Sequence, residues 1–283
     1  MSQSEFESIN TAPQPCDDGA LEQVSSWWAR LGQATWGITR ASGRGLAAAY
    51  HAIDPDVRRD LAQMPVLALT LLAPGWKEPV ALRDDGRRPV IFVHGLGGHR
   101  GNFIALQGWL WTRGWRRCYS VGFPAGGNLV ELSEQLAAFV LSVIEVNGLD
   151  DDAQVDLVGH SMGGVVSRLA LEDADLARRV SCLVTLGTPH HGTHAARFAG
   201  AGKTLDLRPD SQLMKRLQQQ EPWNTATRLV CLWSESDPLM QPATTACVEG
   251  ADNQQVDGMS HINYLLRPAA WKVVQQALGA ADS

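Results

Sequence analysis

The sequence has few cysteines and no pattern pairing them. The five present, Cys16, Cys118, Cys182, Cys231 and Cys247, lie far apart and contain no CxxC motif. An odd, dispersed set argues against a disulfide framework, and is expected to be reduced. Positive charge is not in excess either, because 24 Lys+Arg against 30 Asp+Glu leave a net charge of −6. Without a basic patch to neutralise phosphates, nucleic acid is not an expected partner. No uninterrupted apolar run reaches the roughly 18 residues of a membrane-spanning helix. The longest candidate, Met64–Ala73, is about half that length and contains Pro65. The N-terminus, with Glu5, Glu7, Asp17 and Asp18, lacks the basic-then-apolar order of a secretory leader, so a cytoplasmic location is expected. Internal repeats and low-complexity segments are absent.

What is present is enough apolar material for a sizeable core: 45% of 283 residues. The first 20 residues are polar, with Pro13 and Pro15. Leu21, Val24, Trp27, Trp28 and Leu31 then fall at helical spacing, and a second helix is expected from Asp54 as N-cap, with Pro55 in its first turn, to about Gln63. Residues 74–89 read as a turn-rich linker. After the linker, short apolar runs alternate with amphipathic stretches. Strands are expected at Pro89–Val93, Arg117–Val121, Val155–Val158, Cys182–Leu186, Arg228–Trp233 and, more weakly, Asn253–Asp257. Helices are expected at Phe103–Arg113, Leu129–Asn147, Met162–Glu172, Ser211–Gln219 and Arg267–Leu278. Such alternation predicts an α/β domain with a mainly parallel sheet of about six strands covered by helices on both faces. The expected division is a helical N-terminal extension over 1–80 and a catalytic domain over 81–283.

Gly159-His160-Ser161-Met162-Gly163 follows one expected strand and opens an expected helix. G-x-S-x-G alone is a common pattern; its position gives it meaning. A serine between strand end and helix start sits in a tight turn, and glycines two residues either side let the two backbones approach. Its Oγ then projects from the carboxyl edge of the sheet, beside the amide donors of a helix N-terminus.

Three stretches resemble one family, the α/β-hydrolases, and bacterial lipases and esterases in particular. VDLVGHSMGGVVSRLAL resembles the nucleophile elbow. Pro89–Gly98 (PVIFVHGLGG) is similar to the first hydrolase strand and its oxyanion loop, and Leu186–Gly192 (LGTPHHG) to a lipase signature. The likeness covers about residues 89–278. It implies the α/β-hydrolase fold, a serine carboxylic-ester hydrolase acting on carboxylic or acylglycerol esters, and no organic cofactor. The structural calcium or zinc of related lipases finds no ligand set that carries over. An acyltransferase or thioesterase using the same residues, or a silent hydrolase fold used for binding, stays open.

A neutral hydroxyl needs a base that is half-deprotonated near neutral pH, and histidine supplies it. Of eight histidines, His51 lies in the extension, His94 is placed to prop the glycine loop, and His99 shares that loop. The side chain of His160 should point away from that of Ser161, towards substrate. His190, His191 and His194 belong to the lipase signature and are expected on the pocket wall; their H-H-x-x-H spacing matches no zinc-hydrolase pattern. His261 follows the last expected strand, at the edge where Ser161 lies, and His261–Leu266 resembles the segment after the lipase histidine. Asp237, after the strand ending at Trp233, is the favoured third member that holds the imidazole tautomer; Glu235 and Asp257 are its rivals. The order Ser161, Asp237, His261 is that of α/β-hydrolase triads. The oxyanion donors are expected to be the backbone N–H of Met162 and, by resemblance, of Leu96. Leu96, Met162, Phe103, Trp109, Leu239 and Met240 are candidates for the acyl pocket, though most read equally as core. Residues 192–228 resemble the region where lipases carry a cap or lid, and Trp27, Trp28 and Trp36 read either as packing onto the domain or as a peripheral membrane contact.

Overall fold

The structure, a computed structural model, describes residues 78–124, 126–198 and 202–280. The expected helices at 21–31 and 54–63, Trp27, Trp28, Trp36, His51 and Cys16 lie outside the described residues.

Six strands form one sheet: β1 Val90–Val93, β2 Cys118–Ser120, β3 Val155–His160, β4 Val180–Leu186, β5 Arg228–Trp233 and β6 Asp252–Gln255. They pair in the order β2-β1-β3-β4-β5-β6, every neighbour parallel. A parallel sheet covered on both faces buries both sides of each strand, which is why these segments read as continuous apolar runs. Within β1 the alternation still sorts side chains: Ile91 and Val93 enter one core cluster, Val90 and Phe92 the other. The β4 strand divides in the same way, with Leu183 on one face and Cys182, Val184 and Leu186 on the other.

Helices α1 (Ile104–Trp111), α2 (Leu129–Val146), α3 (Met162–Ala170) and α4 (Ala174–Arg178) precede the β4–β5 connection, which contains α5 (Lys203–Asp206) and α6 (Gln212–Gln218). The short α7 (Asn263–Leu266) and α8 (Pro268–Ala280) close the chain's described part. Helices α2 and α3 cover one face of the sheet; α1, α7 and α8 cover the other. Helix α2 begins with a capping box, Asn128 accepting from the Glu131 N–H while the Glu131 carboxylate accepts from the Asn128 N–H. Its buried positions Leu129, Leu132, Leu136, Val140, Val143 and Ile144 follow the helical period.

Two differences from the sequence expectation bear on the site. The β3 strand runs on to His160, so Ser161 follows the sheet directly with no intervening loop. The β4–β5 connection is also less free than a lid over 192–228 implies. Leu207, Met214, Leu217 and Trp223 are all buried in the core cluster on the α2–α3 face, so its second half is part of the domain's body. The buried guanidinium of Arg168 on α3 reinforces this, donating to the Leu217 carbonyl at 2.9 Å and pairing with Glu221 at 3.4 Å.

Candidate active site

The carboxyl ends of β1, β3, β4 and β5 converge on one edge of the sheet. Ser161 stands there between β3 and α3 with φ 55° and ψ −127°, the one non-glycine residue of positive φ among the described residues. Such a conformation costs an L-residue about 1–3 kcal/mol and persists only where its surroundings enforce it. The glycines around it are that enforcement. A Cβ on Gly159 would lie 2.7 Å from the Cα of Gly164, one on Gly163 would run into the Val93 carbonyl, and one on Gly164 into the Thr188 hydroxyl. Helix and strand can therefore approach closely enough to force the turn, which the Ser161 N–H anchors to the Leu186 carbonyl at 2.9 Å.

The loop after β1 passes over the serine. A Cβ on Gly95 would lie 2.8 Å from Ser161 Cβ and 3.3 Å from its Oγ, so backbone occupies that space. The Gly95 carbonyl accepts from the Gly98 N–H at 3.0 Å and from His94 Nδ1 at 2.9 Å. A carbonyl can only accept, which assigns the proton to Nδ1. Burial holds His94 below the ordinary imidazole value, opposed by that hydrogen bond. The Gly95 carbonyl and the Leu96 N–H belong to one planar peptide and point in opposite directions. Two donors on the carbonyl thus fix the direction of the amide. On the other side, Met162 is the first residue of α3, where an N–H has no intrahelical acceptor.

His261 follows β6, and its Nδ1 lies 2.9 Å from Oδ2 of Asp237. Asp237 is 1% exposed and His261 7%. Since the carboxylate accepts, Nδ1 is the donor in this pair. The other carboxylate oxygen of Asp237 accepts from the Leu239 N–H at 3.0 Å. Of the rivals weighed from sequence, Glu235 and Asp257 are both exposed.

Several residues that sequence reading passed over hold this arrangement. Ser234, buried, accepts through Oγ from the Met259 N–H at 3.2 Å and the Ser236 N–H at 3.3 Å, tying the loop of Asp237 to that of His261. Gly187 has φ 52°. A Cβ there would meet Asp237 Oδ2 at 2.8 Å and the ring of Tyr264 at 2.7 Å. The only sequence signal for Gly187 is its place in the G-T-P segment, and Ser234 carries none.

Four expectations about the pocket are corrected. His160 does not face open space: it is 6% exposed, and its Nε2 lies 2.9 Å from the His261 carbonyl oxygen. Phe103 is fully buried against Phe92, ring centroids 5.1 Å apart, as part of the core beneath β1. Trp109 packs on Trp271 with the Arg113 guanidinium 3.2 Å over its ring, at the far end of α1. His190 is fully buried, Nε2 lying 3.0 Å from Thr185 Oγ1, so it belongs to the core, while His191 binds both oxygens of Glu221. Met240 is buried and Leu239 half-buried next to Asp237, whereas the Leu96 side chain is 47% exposed.

A family model described as a PGAP1-like alpha/beta domain matches residues 126–228. A triacylglycerol lipase of Burkholderia plantarii is 31% identical over 153 residues, covering 49% of this chain and 40% of the lipase. Another, from Pseudarthrobacter phenanthrenivorans, is 32% identical over 120 residues, covering 40% of this chain and 36% of its own length. The match thus spans about two fifths of the length of these curated relatives. Among solved structures, a Bacillus licheniformis lipase in mature form superposes with a TM-score of 0.60 at 21% identity, covering 72% of this chain and 98% of that one. The chain has the α/β-hydrolase fold. A carboxylesterase of Bacillus subtilis shares the α/β-hydrolase fold with it at a TM-score of 0.50 and 15% identity, over 80% of this chain and 98% of that one. Among the described residues, no group of three or more His, Cys, Asp or Glu is placed to hold a metal ion. Nor is any described helix long and apolar enough to cross a membrane.

Proposed function

We propose that the chain is a serine carboxylic-ester hydrolase that works through an acyl-enzyme. The observation that carries this reading is the strained Ser161 turn on the same sheet edge as the buried His261–Asp237 pair. The likeness to triacylglycerol lipases supports the ester as substrate class.

In this mechanism Ser161 Oγ attacks the ester carbonyl carbon while Nε2 of His261 takes the hydroxyl proton. Asp237 holds the ring in the tautomer that leaves Nε2 basic, and stabilises the imidazolium that forms. The carbonyl oxygen becomes an oxyanion held by the Leu96 and Met162 N–H groups; one such donor typically lowers the barrier by about 2.7–4 kcal/mol. His94 and Gly98 aim the first of these amides through the Gly95 carbonyl. The C–O bond to the alcohol then breaks, and the alcohol leaves with the proton from His261. Water repeats the sequence on the acyl-enzyme and frees the acid.

A chain-length series of p-nitrophenyl esters tests the reading. Wild type is expected to hydrolyse them, and Ser161→Ala and His261→Ala each to lose activity by roughly 10³-fold or more with the fold intact by circular dichroism. Activity retained in either folded variant would overturn the assignment. Preference for acyl chains of about eight carbons or more, above the solubility limit, would place the substrate among lipids, not short soluble esters.

A further inference from the structure

His160 is the residue before the nucleophile, yet its side chain serves neither the serine nor open space. Its ring lies 4.8 Å from that of His261, centroid to centroid, tilted by 45°. Its Nε2 is 2.9 Å from the backbone oxygen of His261, a contact between residues 101 positions apart. The oxygen is a carbonyl, so Nε2 must be the donor and Nδ1 the unprotonated nitrogen. Burial, with the adjacent His261 ring adding to it, pushes the His160 imidazole down to about 3. The ring therefore stays neutral, and the donor stays in place, down to acid pH.

We propose that His160 is a positioning residue for the general base: it hydrogen-bonds the His261 backbone to the residue covalently joined to Ser161, and so fixes the distance between nucleophile and base. The inference rests on the reading of Ser161 and His261 given above, and it replaces substrate contact as the role of His160. Only one peptide bond and one side-chain hydrogen bond separate Ser161 from the His261 backbone along this route. A second support of His261, through Nδ1 to Asp237, sets the rotation of the ring; the contact from His160, together with the Ser234 tie at Met259, sets the place of the loop that carries it. Because the ring is neutral, this support adds no positive charge beside His261 when it becomes imidazolium.

Two variants separate positioning from packing. His160→Phe keeps a ring and removes the donor. In His160→Gln the side-chain nitrogen is as many bonds from Cβ as Nε2 of histidine, so a donor returns at the same reach. In hydrogen exchange, the amides of residues 258–263 are expected to open about tenfold faster in His160→Phe and to recover in His160→Gln, the scale of one buried hydrogen bond. With a soluble p-nitrophenyl ester, kcat is expected to fall about tenfold or more in His160→Phe at unchanged KM, and to recover in part in His160→Gln. A loss confined to KM would return His160 to the substrate site and overturn the proposal. Equal loop exchange in wild type and a folded His160→Phe variant would also overturn it. That second result is independent of turnover, so it stands even if Ser161→Ala shows the hydrolase reading itself to be mistaken. Should His160→Phe fail to fold, His160→Gln alone decides: loop exchange near the wild-type rate with a kcat only partly reduced is expected, and a folded glutamine variant with a fast-exchanging loop contradicts the inference.

Discussion

Ser161 can hold φ 55° only because the positions facing it carry no side chains. The same logic applies at Gly187, whose Cα lies under the carboxylate of Asp237 and against Tyr264. Gly187→Ala is therefore expected to push the acid away from His261 and reduce kcat on the order of a hundredfold, with a smaller effect on KM. Steady-state kinetics on the folded variant check this; kcat at the wild-type level would remove Asp237 from the mechanism. At this scale the sequence was informative where chemistry forces a motif and silent where contacts are long-range. Ser161 and the loop at Gly95–Gly98 announce themselves by glycines at fixed spacing. The hydrogen bond from His160 to a carbonyl 101 residues away has no local signature, and from the sequence that ring reads as a substrate contact. Phe103 shows the converse: an aromatic beside an oxyanion loop suits a pocket as well as a core, and only burial decides.

The helices and strands repeat the lesson in different terms. Strands β1, β3, β4 and β5 stand out as apolar runs bounded by Gly, Pro or Asp because they are covered on both faces. The edge strand β6, Asp252–Gln255, is polar and alternates between half-buried and exposed, so its register on β5 cannot be read from hydrophobicity and its observed bounds lie upstream of the expected ones. The β4–β5 connection is harder to read for another reason. Its charged and amide side chains suggest a surface segment, while Met214 and Leu217, three apart on α6, carry it into the core. Leu217→Ala is expected to cost about 2–5 kcal/mol, as deletion from a packed core does. A urea titration measures it, and a loss below about 0.5 kcal/mol would restore a lid lying loosely on the surface. Asn128→Ala, which removes the cap of α2, is expected to cost about 1 kcal/mol in the same titration.

For the whole molecule, the buried imidazoles make stability depend on acid in one direction. His94, His160 and His190 are all held below their ordinary value, mainly by burial, so they remain neutral in the fold while the unfolded chain protonates them near 6.5. Below that pH the unfolded state binds more protons, and stability falls as pH drops. For His160 the loss runs from about 6.5 down to about 3, at roughly 1.4 kcal/mol per pH unit. The urea midpoint is expected to be lower at pH 4.5 than at pH 7, and His160→Gln to flatten the slope between them. An unchanged slope would mean that His160 is accessible to protons in the fold. Burial also pushes the thiols of Cys182 and Cys231 up to about 12, and both are expected to stay unreactive towards a disulfide reagent until the chain unfolds.

The proposed mechanism requires a nucleophile and a base brought to one sheet edge from positions 100 residues apart in the chain. Reaction with a fluorophosphonate probe, followed by peptide mass spectrometry, tests that convergence most directly. The account predicts a single adduct on Ser161, formed at least a hundredfold more slowly in His261→Ala; an unlabelled Ser161, or labelling at the same rate without the imidazole, would contradict it.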